Sequence, residues 1–543
     1  MRKIIQNTKN LFYQKQNNIL SSAIILSVMI IISRFFGLIR YRTFATFFTK
    51  EELDIFFAAF RLPDLIFEIL ITGALSSAFI PIYIKYKKDT KELYKNISSI
   101  INLVFISLMV IMVLIVIFAD PIVRIMTPGF TDTQVEYVVY LSRILILGQL
   151  PFLVMGNMLS GIAQANQTFV ISALAPIIYN VGIIGGTMIL APYLWLFGPV
   201  IGVVIGAFLF FLVQIPTMYV LRFNYRPFIF DKKILREFIT LFVPRTLSVI
   251  TTQLDLTIDL TLSTLLGSGS YTIFYFAQHL QLFPVSFIGV AFGQASLPYI
   301  SNLFKDNELG TIRKLFVDSI LQLLYMSIPI SLFFIFARTP IVRVIFGGKK
   351  FDWVGTNATA LTVSIFALSI PMHTIFYFIT RSFYASHDTK TPFIINFLCV
   401  GLNATLSFIF ITQLHYGVWS LGLAFSVAVS INVILLIIAF YKKMNGFDVN
   451  KLILHTMKIY IASFTAAIAP YLVLKLIDDL VIDTARSLNV FFLLSSSFLL
   501  FVICYVFFSW LFNVEEIYMF KKLLGRFTTM KKQVEEVFNG TAS

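Results

Sequence analysis

Apolar blocks long enough to cross a lipid bilayer recur from residue 19 to residue 512, with only short polar connections between them. A helical span needs about 20 mostly apolar residues. In hydrocarbon only helices and closed barrels satisfy every backbone polar group. These blocks are continuous rather than alternating, which excludes a barrel. With 58% hydrophobic and 13% charged residues in a chain of 543, the sequence reads as an all-α polytopic membrane protein. About fourteen transmembrane helices are expected, near 19–39, 56–84, 97–119, 135–161, 169–191, 198–221, 237–265, 271–302, 315–337, 356–380, 391–413, 417–441, 456–477 and 489–512.

The net charge of +15 is a positive-inside bias, not a nucleic-acid signature, because the basic residues cluster in short loops. Lys85, Lys87 and Lys88 follow the second block, Lys232, Lys233 and Arg236 follow the sixth, and Lys442 and Lys443 follow the twelfth. The connections near 192–197, 266–270 and 412–416 carry no Lys or Arg. Both termini are therefore expected in the cytoplasm. Arg40, Arg42 and Lys50, with Arg338, Arg343, Lys349 and Lys350, fall on the outer side against the rule and are assigned to a functional vestibule. The first apolar run lacks a small-residue cleavage pattern and ends in Arg34, so it is not read as a cleaved signal. Cys399 and Cys504 are too few for a disulfide framework.

The chain repeats itself. Pro121-Ile122-Val123-Arg124 returns as Pro340-Ile341-Val342-Arg343, 219 residues later. Ala74, Ala78, Pro81, Lys88 and Asp89 match Ala291, Ala295, Pro298, Lys305 and Asp306 at 217. This spacing covers an even number of spans, so both copies share one topology, as in transporters built from parallel repeats. The expected organisation is an N-terminal six-helix lobe (1–230), a C-terminal six-helix lobe (231–445), two appended helices (446–513) and a cytoplasmic tail (514–543). The tail mixes Lys521, Lys522 and Arg526 with Leu523, Leu524 and Phe527, a pattern for a lipid-surface helix or a solvated anchor.

Charges inside spans carry the functional signal, since each costs roughly 2.5–3.5 kcal/mol on insertion scales. They are Arg34, Arg40, Arg61, Asp64, Glu68 and Arg143, then Arg245, Asp255, Asp259, Asp318 and Arg381, with His279. Arginine outnumbers lysine in this set. A guanidinium stays charged and pairs bidentately with phosphate oxygens, so a lipid-linked anionic substrate is expected; internal ion pairing is the competing reading. Asp255 and Asp259 share one helix face and suit a cation or a structural pair. Pro63, Pro81, Pro284 and Pro298 interrupt two spans at comparable places. No phosphate-binding loop and no metal-ligand spacing occurs. The chain is thus expected to be no enzyme and to need no cofactor, with transport driven by a coupling cation (Na+ or H+) or the membrane potential.

These residues resemble the opening of the MurJ/MviN family of lipid II flippases, within the multidrug/oligosaccharidyl-lipid/polysaccharide exporter superfamily. The likeness lies in Ser33-Arg34-x-x-Gly37-x-x-Arg40, Asp54-x-Phe56-Phe57-x-Ala59-Phe60-Arg61-Leu62-Pro63 and Gly73-Ala74-x-Ser76-x-Ala78-Phe79-Ile80-Pro81. It continues through Gln164-Ala165, Asn180, Pro298, Arg381-x-Phe383-Tyr384-Ala385, Asp388, Thr391-Pro392 and Asn403.

The resemblance implies a bacterial inner-membrane flippase. Its expected activity is moving a polyprenyl-diphosphate-linked peptidoglycan precursor to the outer leaflet by alternating access, with the lipid tail in a groove of the last two helices. Contacts with membrane lipids and cell-wall synthesis machinery are implied, and no nucleic acid. It places Arg34, Arg40 and Asp54 among cavity residues and Asp259, taken with Asn403, at a sodium site. Arg61, Arg245 and His279 complete the expected substrate set. The chain departs from the family at Phe67, where a diphosphate-binding arginine is usual, at Gln278-His279, which replaces an Asp-Arg pair, and at Tyr41. Those departures leave two other readings: a flippase for another polyprenyl-linked glycan, or a non-transporting envelope scaffold.

Overall fold

In the computed structural model, residues 19–72, 78–166, 168–221, 223–480 and 487–518 are described. Gly73, Ala74 and Ser76 of the quoted motifs, and the tail beyond residue 518, lie outside them. All regular structure among the described residues is helical. The helices are α1 (Ile19–Phe47), α2 (Lys50–Phe67), α3 (Ile80–Tyr86), α4 (Thr90–Ile117), α5 (Ala119–Met126), α6 (Asp132–Ala165), α7 (Phe169–Leu194), α8 (Phe197–Val220), α9 (Lys232–Thr264) and α10 (Ser270–Val285). They continue as α11 (Ala291–Lys305), α12 (Leu309–Phe336), α13 (Arg338–Phe346), α14 (Trp353–Ala367), α15 (Ile370–Ala385), α16 (Lys390–Thr412), α17 (Trp419–Lys443), α18 (Val449–Leu480) and α19 (Ser487–Leu511).

Among the described residues ten stretches are long and apolar enough to cross a membrane, one of them running from α10 through its π turn to the end of α11, and eleven when α14 and α15, bent by 46° at their junction, count as one span. The chain is a multi-pass membrane protein. Three expected spans fall outside this set: 19–39 with Arg34, 56–84 with Arg61, Asp64 and Glu68, and 237–265 with Arg245, Asp255 and Asp259. Length and apolarity support ten to eleven spans among the described residues, which leaves the expected fourteen unconfirmed.

The sequence repeat has a structural counterpart. A π-helical turn, Glu68–Thr72, follows α2 and its internal Pro63. A second, Ser286–Val290, follows α10 and its Pro284. Proline removes one backbone bond and crowds the carbonyl four residues earlier, and the widened turn absorbs the mismatch. The two Pro-Ile-Val-Arg copies form the short helices α5 and α13. Where α6 runs unbroken through Pro151, its counterpart breaks into α14 and α15 ahead of Pro371.

The chain divides into two compact units, residues 1–275 with 345–356, and 276–344 with 357–543. In the first, α7 and α8 pack through glycine faces. A Cβ at Gly186 would lie 2.3 Å from the Gly202 Cα, and one at Gly182 2.5 Å from the Gly206 Cα. Glycines four residues apart let backbones meet where lipid supplies no hydrophobic drive. In the second unit α12 is the buried centre. Tyr505 of α19 donates to the Tyr325 carbonyl at 2.8 Å, and Phe333 meets Phe498 and Phe501. Thus α18 and α19 are built onto α12.

Candidate functional site

The first unit gathers charge around α1 and α2. Thr49 caps α2 in a reciprocal box with Glu52, which fixes the helix start and therefore the direction of everything after it. Arg34 and Arg40 are six residues apart, so they leave α1 on different faces. Arg34 is exposed and Arg40 half-buried. The Arg40 guanidinium lies 4.8 Å from the centre of the Tyr41 ring, a cation–π contact. It also acts electrostatically on Asp64 and Tyr179. Tyr41 sits among Phe44, Phe57, Tyr275 and Phe346, and Phe57 stacks on Tyr275 at 4.2 Å. The Arg40 Nε is buried and has no hydrogen-bond partner among the described residues.

Arg61 is only 5% exposed, and α9 holds it. Its Nη2 donates to the Gln253 carbonyl (2.7 Å), Gln253 Oε1 (3.0 Å) and Thr257 Oγ1 (2.6 Å), and its Nε donates to Thr257 Oγ1 at 3.1 Å. Every one of these acceptors is neutral, and among the described residues no carboxylate reaches Arg61 within ion-pair distance. Asp64, one turn on, interacts with it electrostatically. The cation is oriented by hydrogen bonds, while Asp64 and Glu68 act on it electrostatically.

Asp54 is fully buried. Its carboxylate accepts from the backbone N–H of Gly269 at 2.5 Å and of Thr272 at 2.8 Å. It thus closes the start of α10, where the dipole favours a negative charge. Thr272 Oγ1 donates in turn to the Lys50 carbonyl at 2.8 Å. Lys50 Nζ reaches Asp352 at 2.7 Å and Glu51 at 3.1 Å. Nearby, the Lys350 backbone N–H donates to the Ala45 carbonyl at 3.3 Å. Gly348 is required there: a Cβ would fall 2.0 Å from that same carbonyl oxygen.

The remaining expected residues are spread out. Arg245 lies on α9, its side chain outside the described residues. Asp259 is buried in the first unit and Asn403 in the second. His279 is half-buried on α10, four residues after Tyr275. Phe67, at the position of the family's arginine, packs against Leu153, Ala175, Ala207 and Phe210. Among the described residues no cluster of His, Cys, Asp or Glu is suited to a metal.

Several partners escaped sequence reasoning. Gln253 and Thr257 are uncharged, and their spacing of one turn within an apolar helix was the available signal. Asp352 sits in a loop with no motif. In the second unit Gln281, Ser369 and His373 form a buried polar group.

The family model described as Lipid II flippase MurJ matches residues 44–492. The probable lipid II flippase MurJ of Rickettsia prowazekii is 31% identical over 428 residues, 75% of this chain and 83% of that protein. The lipid II flippase MurJ of Burkholderia cenocepacia is 25% identical over 442 residues, 78% and 84% of the two chains. A solved structure of lipid II flippase MurJ in an inward closed conformation aligns with a TM-score of 0.76 at 26% identity, covering 91% of this chain and 100% of that one. An inward-facing MATE family transporter of the MOP superfamily aligns at 0.67 with 13% identity, over 78% of this chain and 98% of that one, a likeness of fold alone.

Proposed function

This chain belongs to the lipid II flippase MurJ family, and from that premise we propose that it moves lipid II from the inner to the outer leaflet of the bacterial cytoplasmic membrane by alternating access. The observation that carries the reading is Arg61, a buried guanidinium held by four bonds to neutral groups. A cation oriented without a carboxylate suits a diphosphate that comes and goes, because a resident ion pair would have to be broken each time. Arg40, backed by Tyr41, is the second such group, and Arg34, Arg245 and His279 are the further substrate-binding residues of this proposal. Asp54 serves by fixing the start of α10.

The lobes of this reading are 1–230 and 231–445, with 446–513 as the lipid-tail groove, 514–543 as a cytoplasmic tail and both termini inside. The chain acts as a transporter and performs no covalent chemistry. A coupling cation, Na+ or H+, or the membrane potential drives it, with Asp259 and Asn403 as ion ligands. Its partners are membrane lipids, the lipid-linked substrate and cell-wall synthesis machinery. The test is translocation of labelled lipid II in vesicles, alongside rescue of a MurJ-depleted strain; correctly inserted protein that does neither refutes the proposal.

One observation favours a second cargo. Phe67 is an apolar packing residue where the family carries a diphosphate-binding arginine, so the head-group contacts differ. Native mass spectrometry of co-purified lipid separates lipid II from another polyprenyl-linked glycan by head-group mass.

A further inference from the structure

The bend between α14 and α15 is wired to a buried histidine. Gln281 of α10, 1% exposed, donates from Nε2 to Ser369 Oγ at 2.9 Å and meets His373 Nδ1 at 3.0 Å. Ser369 spends its single hydroxyl proton on the Phe366 carbonyl at 2.6 Å. It therefore accepts from Gln281, which fixes the amide with nitrogen toward both neighbours. Two consequences follow. His373 Nδ1 faces an N–H donor, so it must be the bare acceptor and the ring proton sits on Nε2. Gln281 Oε1 is left buried without a hydrogen-bond partner among the described residues, a destabilising arrangement for an acceptor.

A second proton can enter only at Nδ1, where it would oppose the Gln281 N–H. Turning the amide by half a rotation removes the conflict. Oε1 then accepts from protonated Nδ1, and the stranded oxygen gains its partner. The same turn presents that oxygen to Ser369, whose hydroxyl can follow it only by leaving the Phe366 carbonyl. Phe366 lies in the last turn of α14, and Ser369 occupies the break where the helices bend by 46°. We propose that His373 is a proton-binding site whose occupancy turns the Gln281 amide and, through Ser369, releases the end of α14 at this bend. The ligand is a proton.

The surroundings keep this reading simple. His373 stacks on Tyr377 at 5.4 Å and meets Phe425 of α17 edge-on at 5.3 Å. Tyr377 is the titratable neighbour, with Arg381 acting on it from one turn further along α15. No carboxylate or cation from α11, α12 or α17 acts on the ring among the described residues. The site goes beyond the flippase reading and does not depend on it, because the ring itself is the readout.

Nitrogen-15 histidine NMR of the full chain in nanodiscs tests it, with assignment by His373→Gln. The expected neutral ring carries its proton on Nε2. Gln281→Glu, which offers a carboxylate at Nδ1, should raise the ring's titration midpoint by about one pH unit or more. Spin labels at Asn357→Cys and His387→Cys should report a distance change on acidification that His373→Gln abolishes. A neutral ring protonated on Nδ1, an unmoved midpoint in Gln281→Glu, or a label distance that follows pH equally in His373→Gln would overturn the proposal. A chain that failed to flip lipid II but behaved as described would leave it standing.

Discussion

Lys50 Nζ lies 2.7 Å from Asp352 Oδ2 although 302 residues separate them. The pair ties the start of α2 to the segment after α13, and Lys50 does more than carry charge. Its stem lies under Gly269, where a Cβ would come within 2.7 Å of the Lys50 Cγ, and Gly269 has φ +88°. Asp352 is 46% exposed, so the ion pair itself contributes only about 0.5–1 kcal/mol. Lys50→Met, which keeps the stem, should therefore lower the melting temperature in detergent slightly. Gly269→Val should lower it much more, because it meets both positive φ and a filled space. Equal losses from the two would show that charge, not packing, dominates here.

Asp54 makes a prediction of opposite character. Its two oxygens serve two buried N–H groups. Asp54→Asn leaves one acceptor oxygen and should cost about 1 kcal/mol, while Asp54→Ala strands both donors and should cost about 2–4 kcal/mol. Transport per folded molecule should survive Asp54→Asn better than it survives Arg61→Met. If Asp54→Asn abolished transport with no loss of thermal stability, Asp54 would be a substrate contact rather than a positioning residue.

What the sequence made legible follows a physical division. Apolar blocks announce spans because each block meets the bilayer's demand alone, and the repeat is legible because Pro121-Ile122-Val123-Arg124 returns at 340–343. Arginines within those blocks stand out because burial in lipid is costly wherever it occurs. Partners are another matter. Arg61 finds Gln253 across 192 residues and Asp54 finds Gly269 across 215. Beyond the one-turn spacing of Gln253 and Thr257, nothing local in them or in the Gly267–Ser270 turn marks them as destinations, since neutral amides, hydroxyls and backbone N–H groups carry no cost that composition registers. The excess of charge was readable, and its distribution into cap, clamp and oriented cation required the folded chain.

Asp388 gives a pH dependence. Burial works against its ionisation, but the Thr391 backbone N–H, Lys443 and the Thr391 hydroxyl outweigh it and hold the carboxyl below the ordinary range. Thr391 Oγ1 and Lys443 Nζ lie 2.9 and 3.0 Å from Oδ2. A carboxyl depressed by folding contributes stability that is present above its unfolded value, near 4, and is lost as pH falls through the lower folded value. The melting-temperature gap between wild type and Asp388→Asn should thus be constant from pH 6 to 8 and close below about pH 4. A gap that widened on acidification would reverse the sign and refute the assignment.

Arg61 separates a transport role from a structural one. Its four bonds to Gln253 and Thr257 use Nε and Nη2, so the fork is oriented while its charge is unmatched by any described ion pair. Arg61→Lys retains the charge but cannot span Gln253 and Thr257 with a planar fork. Arg61→Met keeps the length and removes both. Hydrogen bonds to a charged group are worth about 1.5–3 kcal/mol, so lipid II translocation per folded molecule should fall by roughly 10–100-fold in Arg61→Met. Arg61→Lys should lie between that variant and wild type. Gln253→Ala, which frees the guanidinium to move, should weaken transport less than Arg61→Met while lowering the melting temperature comparably. Should Arg61→Met lose stability yet translocate at the wild-type rate per folded molecule, the guanidinium is a helix clasp and the diphosphate is held elsewhere.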